Sequence, residues 1–148
     1  MKKNKKIKRK GQGGFTFIEI LVAMMILFIL ISIAGFAYFK YIGKAKIIAT
    51  KNQIQILSLA LDSYYLDCNQ YPTTEQGLEA LWEKPILEPV PKGWNGPYIK
   101  KKIERDSWGN KYEYIAPGPN GLPFGIRSFG ADGMEGGEGN NADIKSWE

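Results

Sequence analysis

The 148-residue sequence contains no histidine and a single cysteine, Cys68. Without histidine there is no imidazole to serve as the base of a Ser-His-Asp or Cys-His arrangement, or to ligate zinc or haem. One cysteine excludes an intramolecular disulfide and a Cys-x-x-Cys metal site. No phosphate-binding glycine loop is present, and no nucleophile–base combination stands out among the remaining residues. These absences argue against an enzyme.

Positive charge is concentrated at the N-terminus of the chain. The sequence has 20 Lys and Arg against 15 Asp and Glu, a formal net charge of +5. Seven of the basic residues and none of the acidic ones lie within residues 1–14, so residues 15–148 carry a net charge of −2. A slightly acidic body disfavours a nucleic-acid partner, which would select a basic surface.

An apolar stretch without charged residues follows at residues 20–39. As a helix it would span about 30 Å, the thickness of a bilayer's hydrocarbon core, and the basic residues before it would keep the N-terminus in the cytoplasm. Three interpretations are open: a cleaved secretory signal with small residues at 32–34, a plain anchor, or a membrane helix in which Glu19 has a task. A carboxylate at depth costs roughly 2–3 kcal/mol and usually has a partner. Glu19 therefore favours the third interpretation.

Residues 14–19, which read GFTFIE, resemble the processing site of type IV pilins and pseudopilins. The resemblance consists of a basic leader, Gly14, the aromatic Phe15 and Glu19, all running into an apolar helix. It implies cleavage between Gly14 and Phe15 by prepilin peptidase, N-methylation of Phe15, and retention of the helix. It also implies that Glu19 pairs with the new amino group of Phe15, in the same or a neighbouring subunit.

The hydrophobic pattern predicts an α+β protein. Proline is absent between Phe15 and Tyr71, and beyond residue 40 apolar residues recur at helical spacing, which predicts one helix over about residues 15–66. Pro72 and a Thr73–Gln76 capping-box pattern predict a short helix that ends near residue 84. The alternating segments 111–115 and 124–129 predict an antiparallel pair, lying on the amphipathic half of the long helix.

Four blocks of sequence resemble the major pseudopilins of type II secretion systems, and with the segment that begins at Gly14 the resemblance extends over nearly the whole mature chain. They lie at residues 71–81, 93–99, 106–112 and 128–133. The chain departs from the family at two positions, because Ser107 and Phe36 stand where family members usually have proline. The resemblance implies a pilin-like fold with three segments: a cleaved leader (1–14), a membrane-spanning and fibre-core half-helix (15–39), and a periplasmic globular domain (40–148).

The segment of residues 130–143, here the C-terminal loop, is rich in glycine and acidic residues and has no Lys or Arg. From the residues alone, a solvated acidic loop and a Ca²⁺ site made of oxygen ligands are both open, although the spacing is not that of an EF-hand. The resemblance implies a structural calcium site. The implied ligands are Asp132, Asp143, the backbone oxygen of Phe129, Glu138, Asn140 and Asn141.

The resemblance also implies a function, which is that of a structural subunit that polymerises through its N-terminal helix to drive protein export. The implied partners are further copies of the chain, prepilin peptidase, minor pseudopilins, an inner-membrane platform with its ATPase, the secretin and exoproteins. The implied location is the inner membrane of a Gram-negative bacterium, crossed once, with the N-terminus cytoplasmic and the body periplasmic. The alternatives are a type IVa pilin or a competence pseudopilin for DNA uptake, and a membrane-anchored binding module for an acidic partner.

Overall fold

The structure, a computed structural model, describes residues 14–148, apart from the side chains of residues 34–37, 39 and 40. The leader predicted over residues 1–14 therefore lies outside the described residues, except for Gly14. The chain divides into two compact units, Met1–Phe39 and Lys40–Glu148.

Helix α1 spans Phe17–Cys68, which confirms the predicted long helix to within two residues at either end. It continues without a break through position 36, where the family usually has proline. The helix ends because Asn69 adopts a left-handed conformation (φ +55°) that stops further helical turns, and Pro72 follows shortly after.

Among the described residues, no helix is both long enough and apolar enough to cross a membrane. The membrane-spanning half of the predicted helix is therefore not confirmed.

The second unit contains a three-stranded antiparallel sheet in the order β1-β2-β3, where β1 is Glu113–Ile115, β2 is Gly125–Ser128 and β3 is Ile144–Lys145. The predicted pairing of the two alternating segments is confirmed. Arg127 of β2 stands opposite Glu113 on one side and Lys145 on the other. With only two residues, β3 is too short for an alternating pattern, and no sequence signal predicted it.

The described part of the chain also contains three 3₁₀ turns, at Leu78–Leu81, Pro119–Gly121 and Gly139–Asn141. The first replaces the predicted short helix, which is corrected to a single 3₁₀ turn. Its predicted capping box does form, because Thr73 donates its amide to Gln76 Oε1 (3.1 Å) and Thr73 Oγ1 accepts from the Gln76 amide (3.2 Å). The Gln76 side chain also donates to the carbonyl of Leu87 (2.7 Å), so the motif fixes a loop rather than a longer helix.

The core of the second unit lies between α1 and the sheet. One face of α1 supplies Ile54, Leu57, Leu61 and Tyr64, and the strands supply Tyr114, Ile126 and Ile144. This confirms that the sheet lies on the amphipathic half of the helix. Cys68 packs partly buried against this core, 3.9 Å from the Tyr98 hydroxyl, and burial raises the pKa of its thiol.

Buried polar contacts tie α1 to the turn before β1. The Thr50 hydroxyl donates to Ser107 Oγ (3.0 Å) and accepts from the Ser107 amide (3.3 Å). A proline at position 107 would have neither the hydroxyl nor the amide hydrogen, so the departure from the family pattern gives this chain an extra link between helix and turn.

Candidate functional site

The predicted processing point lies just before α1. Gly14 and Phe15 precede the first helical residue, Phe17, and the Phe15 side chain is 85% exposed. An added Cβ at Gly14 would meet no neighbouring atom within 4 Å. The peptide bond between Gly14 and Phe15 thus lies just before α1, next to an exposed side chain.

Glu19 takes part in a capping box with Thr16. Glu19 Oε2 accepts from the Thr16 amide (2.7 Å) and from the Thr16 hydroxyl (2.8 Å), while Thr16 Oγ1 accepts from the Glu19 amide (3.3 Å). The two residues thereby satisfy amide groups that the first helical turn leaves without partners. The sequence signal for this arrangement is the Thr-x-x-Glu spacing, and the role of Thr16 was missed. Glu19 thus caps the start of α1 through Thr16, the residue that follows Phe15.

Apolar side chains cover the beginning of α1 and are largely exposed. The large apolar residues from Phe15 to Ile33 range from 44% to 85% exposed. A contiguous apolar surface of this kind is costly in water and marks a protein-binding or membrane-binding segment. The described residues of the single chain leave this apolar surface uncovered.

The C-terminal loop folds back on itself through its backbone. The Ala131 amide donates to the carbonyl of Asn140 (2.9 Å), and the Asn141 amide donates to the carbonyl of Glu138 (3.1 Å). Gly130 has φ +64°, and a Cβ there would lie 2.7 Å from the Asn141 carbonyl. Glycine at position 130 thus permits both the left-handed conformation and the close approach of the returning chain.

The predicted calcium ligands are placed around this loop but engage different partners. Asp132 Oδ1 accepts from the Met134 amide (3.1 Å), and Asp143 Oδ1 accepts from the Gly136 amide (3.2 Å). The Asn140 side chain lies against Gly43 of α1, where an added methyl group would overlap its amide. Within the described part of the chain, no group of three or more Asp, Glu, Cys or His side chains is arranged to hold a metal.

Arg127 contacts the loop, and sequence reasoning missed it. Its guanidinium lies 2.7 Å from Glu135 Oε1 and 3.7 Å from Asp143 Oδ2, and it also binds Glu113 Oε2 at 2.8 Å. The Glu113 contact contributes most to raising the pKa of Arg127. Residues 130–143 contain no Lys or Arg, so the sequence of the loop alone does not indicate that a cationic side chain contacts it. The usable signal was the alternation of β2, which places Arg127 on the face opposite Ile126.

The residues of the loop fit calcium in their chemistry. Carboxylates, amide oxygens and backbone carbonyls on a glycine-rich segment are the ligands that Ca²⁺ prefers. The Asp143 side chain is only 6% exposed, and its nearest charged contact, Arg127, is at the long distance of 3.7 Å. A buried carboxylate with so distant a counter-charge is a suitable ligand for a cation.

Comparison with known proteins places both the body of the chain and its N-terminus. The model of the family described as Type II secretion system (T2SS), protein G, matches residues 37–147. The prokaryotic N-terminal methylation motif matches residues 9–35. The two matches together extend over the predicted processing site and all four sequence blocks.

Individual relatives match over nearly their full length. The chain is 46% identical to the type II secretion system core protein G of Pseudomonas aeruginosa over 142 residues, which cover 96% of this chain and 99% of the relative. It is 45% identical to core protein G of Vibrio cholerae over 144 residues, which cover 95% and 94%.

A solved structure agrees with these matches. The major pseudopilin from the type 2 secretion system of enterohaemorrhagic Escherichia coli shares 38% identity with this chain at a TM-score of 0.61, and the match covers 70% of this chain and 88% of that one. The resemblance seen in the four sequence blocks is thereby confirmed. Because the family model spans most of the chain and the relatives align from end to end, the chain belongs to the protein G family of type II secretion systems.

Proposed function

We propose that this chain is the major pseudopilin of a type II secretion system, a structural subunit that polymerises to drive protein export across the outer membrane. The observation that carries the proposal is the helix start: an exposed apolar half-helix with a carboxylate at Glu19 in its first turn, both lying within the methylation motif matched at residues 9–35. The relatives from Pseudomonas aeruginosa and Vibrio cholerae carry the name type II secretion system core protein G, which favours secretion over DNA uptake.

Polymerisation would bury the apolar start of α1. Side chains exposed by about half or more in the single chain would pack between copies of the helix, at about 25 cal/mol for each Å² of apolar surface removed from water. For surface removed from lipid, close packing between the helices takes the place of this hydrophobic contribution. Copies related by the same head-to-tail step give an open helical fibre rather than a closed ring.

Processing would give Glu19 a second partner. Cleavage between Gly14 and Phe15 turns the Phe15 nitrogen into a positively charged amine, one residue before Thr16. In an apolar bundle, that amine and the Glu19 carboxylate offset each other's desolvation and fix the axial register of each incoming subunit. The Thr16 contacts keep the Glu19 carboxylate at the helix start, where an amine can reach it.

The finer assignments follow from the family. Before assembly the chain would sit in the inner membrane of a Gram-negative bacterium, with its N-terminus cytoplasmic and residues 40–148 periplasmic. Prepilin peptidase would remove the leader and methylate Phe15. Minor pseudopilins, an inner-membrane platform with its ATPase, and a secretin would be the assembly partners, and exoproteins the cargo. The chain itself would do no catalysis, and the work would come from the ATPase.

The C-terminal loop would bind calcium in a structural role. Asp132 and Asp143 are the main proposed ligands, with Glu138, Asn140, Asn141 and the backbone oxygen of Phe129 as further donors. A bound ion supplies charge neutralisation and a fixed coordination shell. The glycine-rich segment has a high conformational entropy, so an ion that binds the folded loop stabilises it by linkage.

Substitutions at the helix start test the assembly proposal, because two variants separate charge from capping. Glu19→Gln keeps an acceptor for the Thr16 capping box but removes the charge, whereas Thr16→Ala weakens the cap and keeps the charge. We expect Glu19→Gln to insert into the membrane normally but to form few or no fibres, as counted by electron microscopy of sheared cell surfaces. Thr16→Ala should form fibres.

A Glu19→Ala variant extends this comparison, and it should insert normally and fail to assemble as well. Equal membrane fractions on immunoblots would show that all three variants are made and inserted. Normal fibres from Glu19→Gln would refute the charge pairing, and fibre loss in Thr16→Ala alone would assign Glu19 a capping role only.

A further inference from the structure

Arg127 brings a positive charge to a loop that has none of its own. The C-terminal loop contains no Lys or Arg, yet two of its carboxylates face the Arg127 guanidinium. Nη1 lies 2.7 Å from Glu135 Oε1 and 3.7 Å from Asp143 Oδ2. These two residues stand at the middle and the end of the loop, so one side chain of β2 connects both.

The guanidinium is held in place from the sheet side. Nε and Nη2 each lie 2.8 Å from Glu113 Oε2 on β1, and the guanidinium carbon is 4.5 Å from the centre of the Phe129 ring. The Arg127 side chain is only 15% exposed. A planar, stacked and partly buried guanidinium is preorganised, so it loses little freedom when the loop closes on it.

The charge balance leaves room for a further cation. One guanidinium faces three carboxylates, Glu113, Glu135 and Asp143. Negative charge remains in excess even with the Lys145 ammonium, which interacts with Asp143 but pairs directly with Glu148. Asp143 is nearly buried but receives only the longest of the three contacts. A divalent ion bound at Asp143 would therefore neutralise carboxylate charge in addition to Arg127. Loop closure would then depend less on the Arg127 guanidinium.

We propose that Arg127 is the resident cation of the C-terminal loop, a positioning residue that holds the loop closed in the metal-free chain through Glu135 and Asp143. Arg127 holds the Asp143 carboxylate next to the sheet. The calcium ion of the proposed function would bind this carboxylate, and this part of the inference rests on that proposed function. Arg127 and calcium then share the carboxylates, so the contribution of Arg127 to loop closure is largest without calcium and smaller with it.

Cleavage by a glutamate-specific protease reads out loop closure, because the loop itself contains Glu135 and Glu138. The full chain in detergent, with chelator, is digested and the fragments are followed by mass spectrometry. We expect Arg127→Gln to speed cleavage after these two residues by about tenfold, the factor that loss of charged hydrogen bonds allows. Lys102→Gln is the matched control: it removes a positive charge that pairs with Glu104, outside the loop, and its rate of loop cleavage should equal the wild-type rate.

A second variant guards against general unfolding. Glu135 is 75% exposed, so Glu135→Gln removes one contact of Arg127 without disturbing the Glu113 contact or the core. We expect faster cleavage after Glu138 in this variant, while the glutamates outside the loop are cut at the wild-type rate. Wild-type cleavage after Glu138 in both Arg127→Gln and Glu135→Gln would overturn the proposal. If Arg127→Gln is cut at every glutamate, the variant is globally unfolded. The rate of cleavage after Glu138 in Glu135→Gln then decides whether the proposal holds.

Digestion in excess calcium chloride distinguishes this proposal from an ordinary structural ion pair, because the effect of an ordinary ion pair on the rate of loop cleavage would not depend on calcium. We expect calcium to return loop cleavage in Arg127→Gln most of the way to the wild-type rate. An equal fold-effect of Arg127→Gln with and without calcium would refute the sharing of carboxylates. A wild-type chain indifferent to calcium, with Arg127→Gln still fast in chelator, would instead refute the calcium site and leave Arg127 as the loop's resident cation.

Discussion

At the scale of single residues, Asp106 organises the turn before β1 and connects it to the end of β2, where the C-terminal loop begins. Its carboxylate accepts from the amides of Trp108 and Asn110, both at 2.9 Å, and from the Ser128 hydroxyl at 2.6 Å. Asn110 in turn donates to the carbonyl of Gly130 (2.7 Å), the first residue of the loop. The position of the loop therefore depends on a carboxylate that is itself buried.

Asp106→Ala should be strongly destabilising, because three donors would lose their acceptor in a buried place. We expect the free energy of unfolding to fall by roughly 3 kcal/mol, in the range of hydrogen bonds to a charged group. Denaturant unfolding followed by fluorescence measures it. Asp62→Ala is the control, since the exposed Asp62 accepts only from Tyr71 (3.1 Å), and it should cost less than about 1 kcal/mol. Equal costs for both variants would show that the Asp106 contacts add little.

At the scale of elements, α1 and the C-terminal loop meet through a close contact between Gly43 and Asn140. An added Cβ at Gly43 would overlap the Asn140 side chain, which belongs to the 3₁₀ turn Gly139–Asn141. Glycine within a helix is normally unfavourable relative to alanine by about 1 kcal/mol, so its presence here is explained by this contact.

Gly43→Ala should therefore fail to give the stabilisation that alanine usually confers on a helix. We expect a melting temperature equal to or below that of the wild-type chain, because the methyl group displaces Asn140. A Gly43→Ala, Asn140→Ala double variant relieves the overlap and should melt above the Asn140→Ala single variant. A more stable Gly43→Ala single variant would contradict the close contact.

The elements also show which features a sequence can predict. The long helix was predictable because its apolar spacing persists over many turns and no proline interrupts it. The pairing of β1 with β2 was predictable from alternation around a turn. Neither β3, with two residues, nor the contact of Arg127 with Glu135 and Asp143 has a local pattern, because both arise only when the chain returns to β2. The Thr16–Glu19 capping box did have a local signal, the Thr-x-x-Glu spacing. It was missed because Glu19 was interpreted only as a charge within a membrane helix.

At the scale of the whole molecule, the second unit gathers a core between α1 and the sheet and leaves the loop to be closed by polar contacts. None of the core residues belongs to residues 130–143. Loop closure is thus a separate, smaller equilibrium that ions can influence, and a cation bound only by the folded chain raises the stability of the whole.

Calcium should accordingly raise the melting temperature of the chain. We expect chelator to lower it and added calcium to restore it, with a gain of about 2.7 kcal/mol when free calcium reaches a hundred times its dissociation constant. Asp143→Asn should lose most of this gain, while Asp62→Asn, outside the loop, should keep it. A wild-type melting curve that does not respond to calcium would remove the ion from the account.

Under the proposed function, this chain is processed into a fibre subunit that retains its apolar helix. The intact mass of the chain, purified from cells with an active prepilin peptidase, shows whether this processing takes place. We expect a chain that begins at Phe15, carries one N-terminal methyl group and keeps the rest of α1. A chain that begins at Met1, or one that begins near residue 35 as after removal of an ordinary signal peptide, would contradict it.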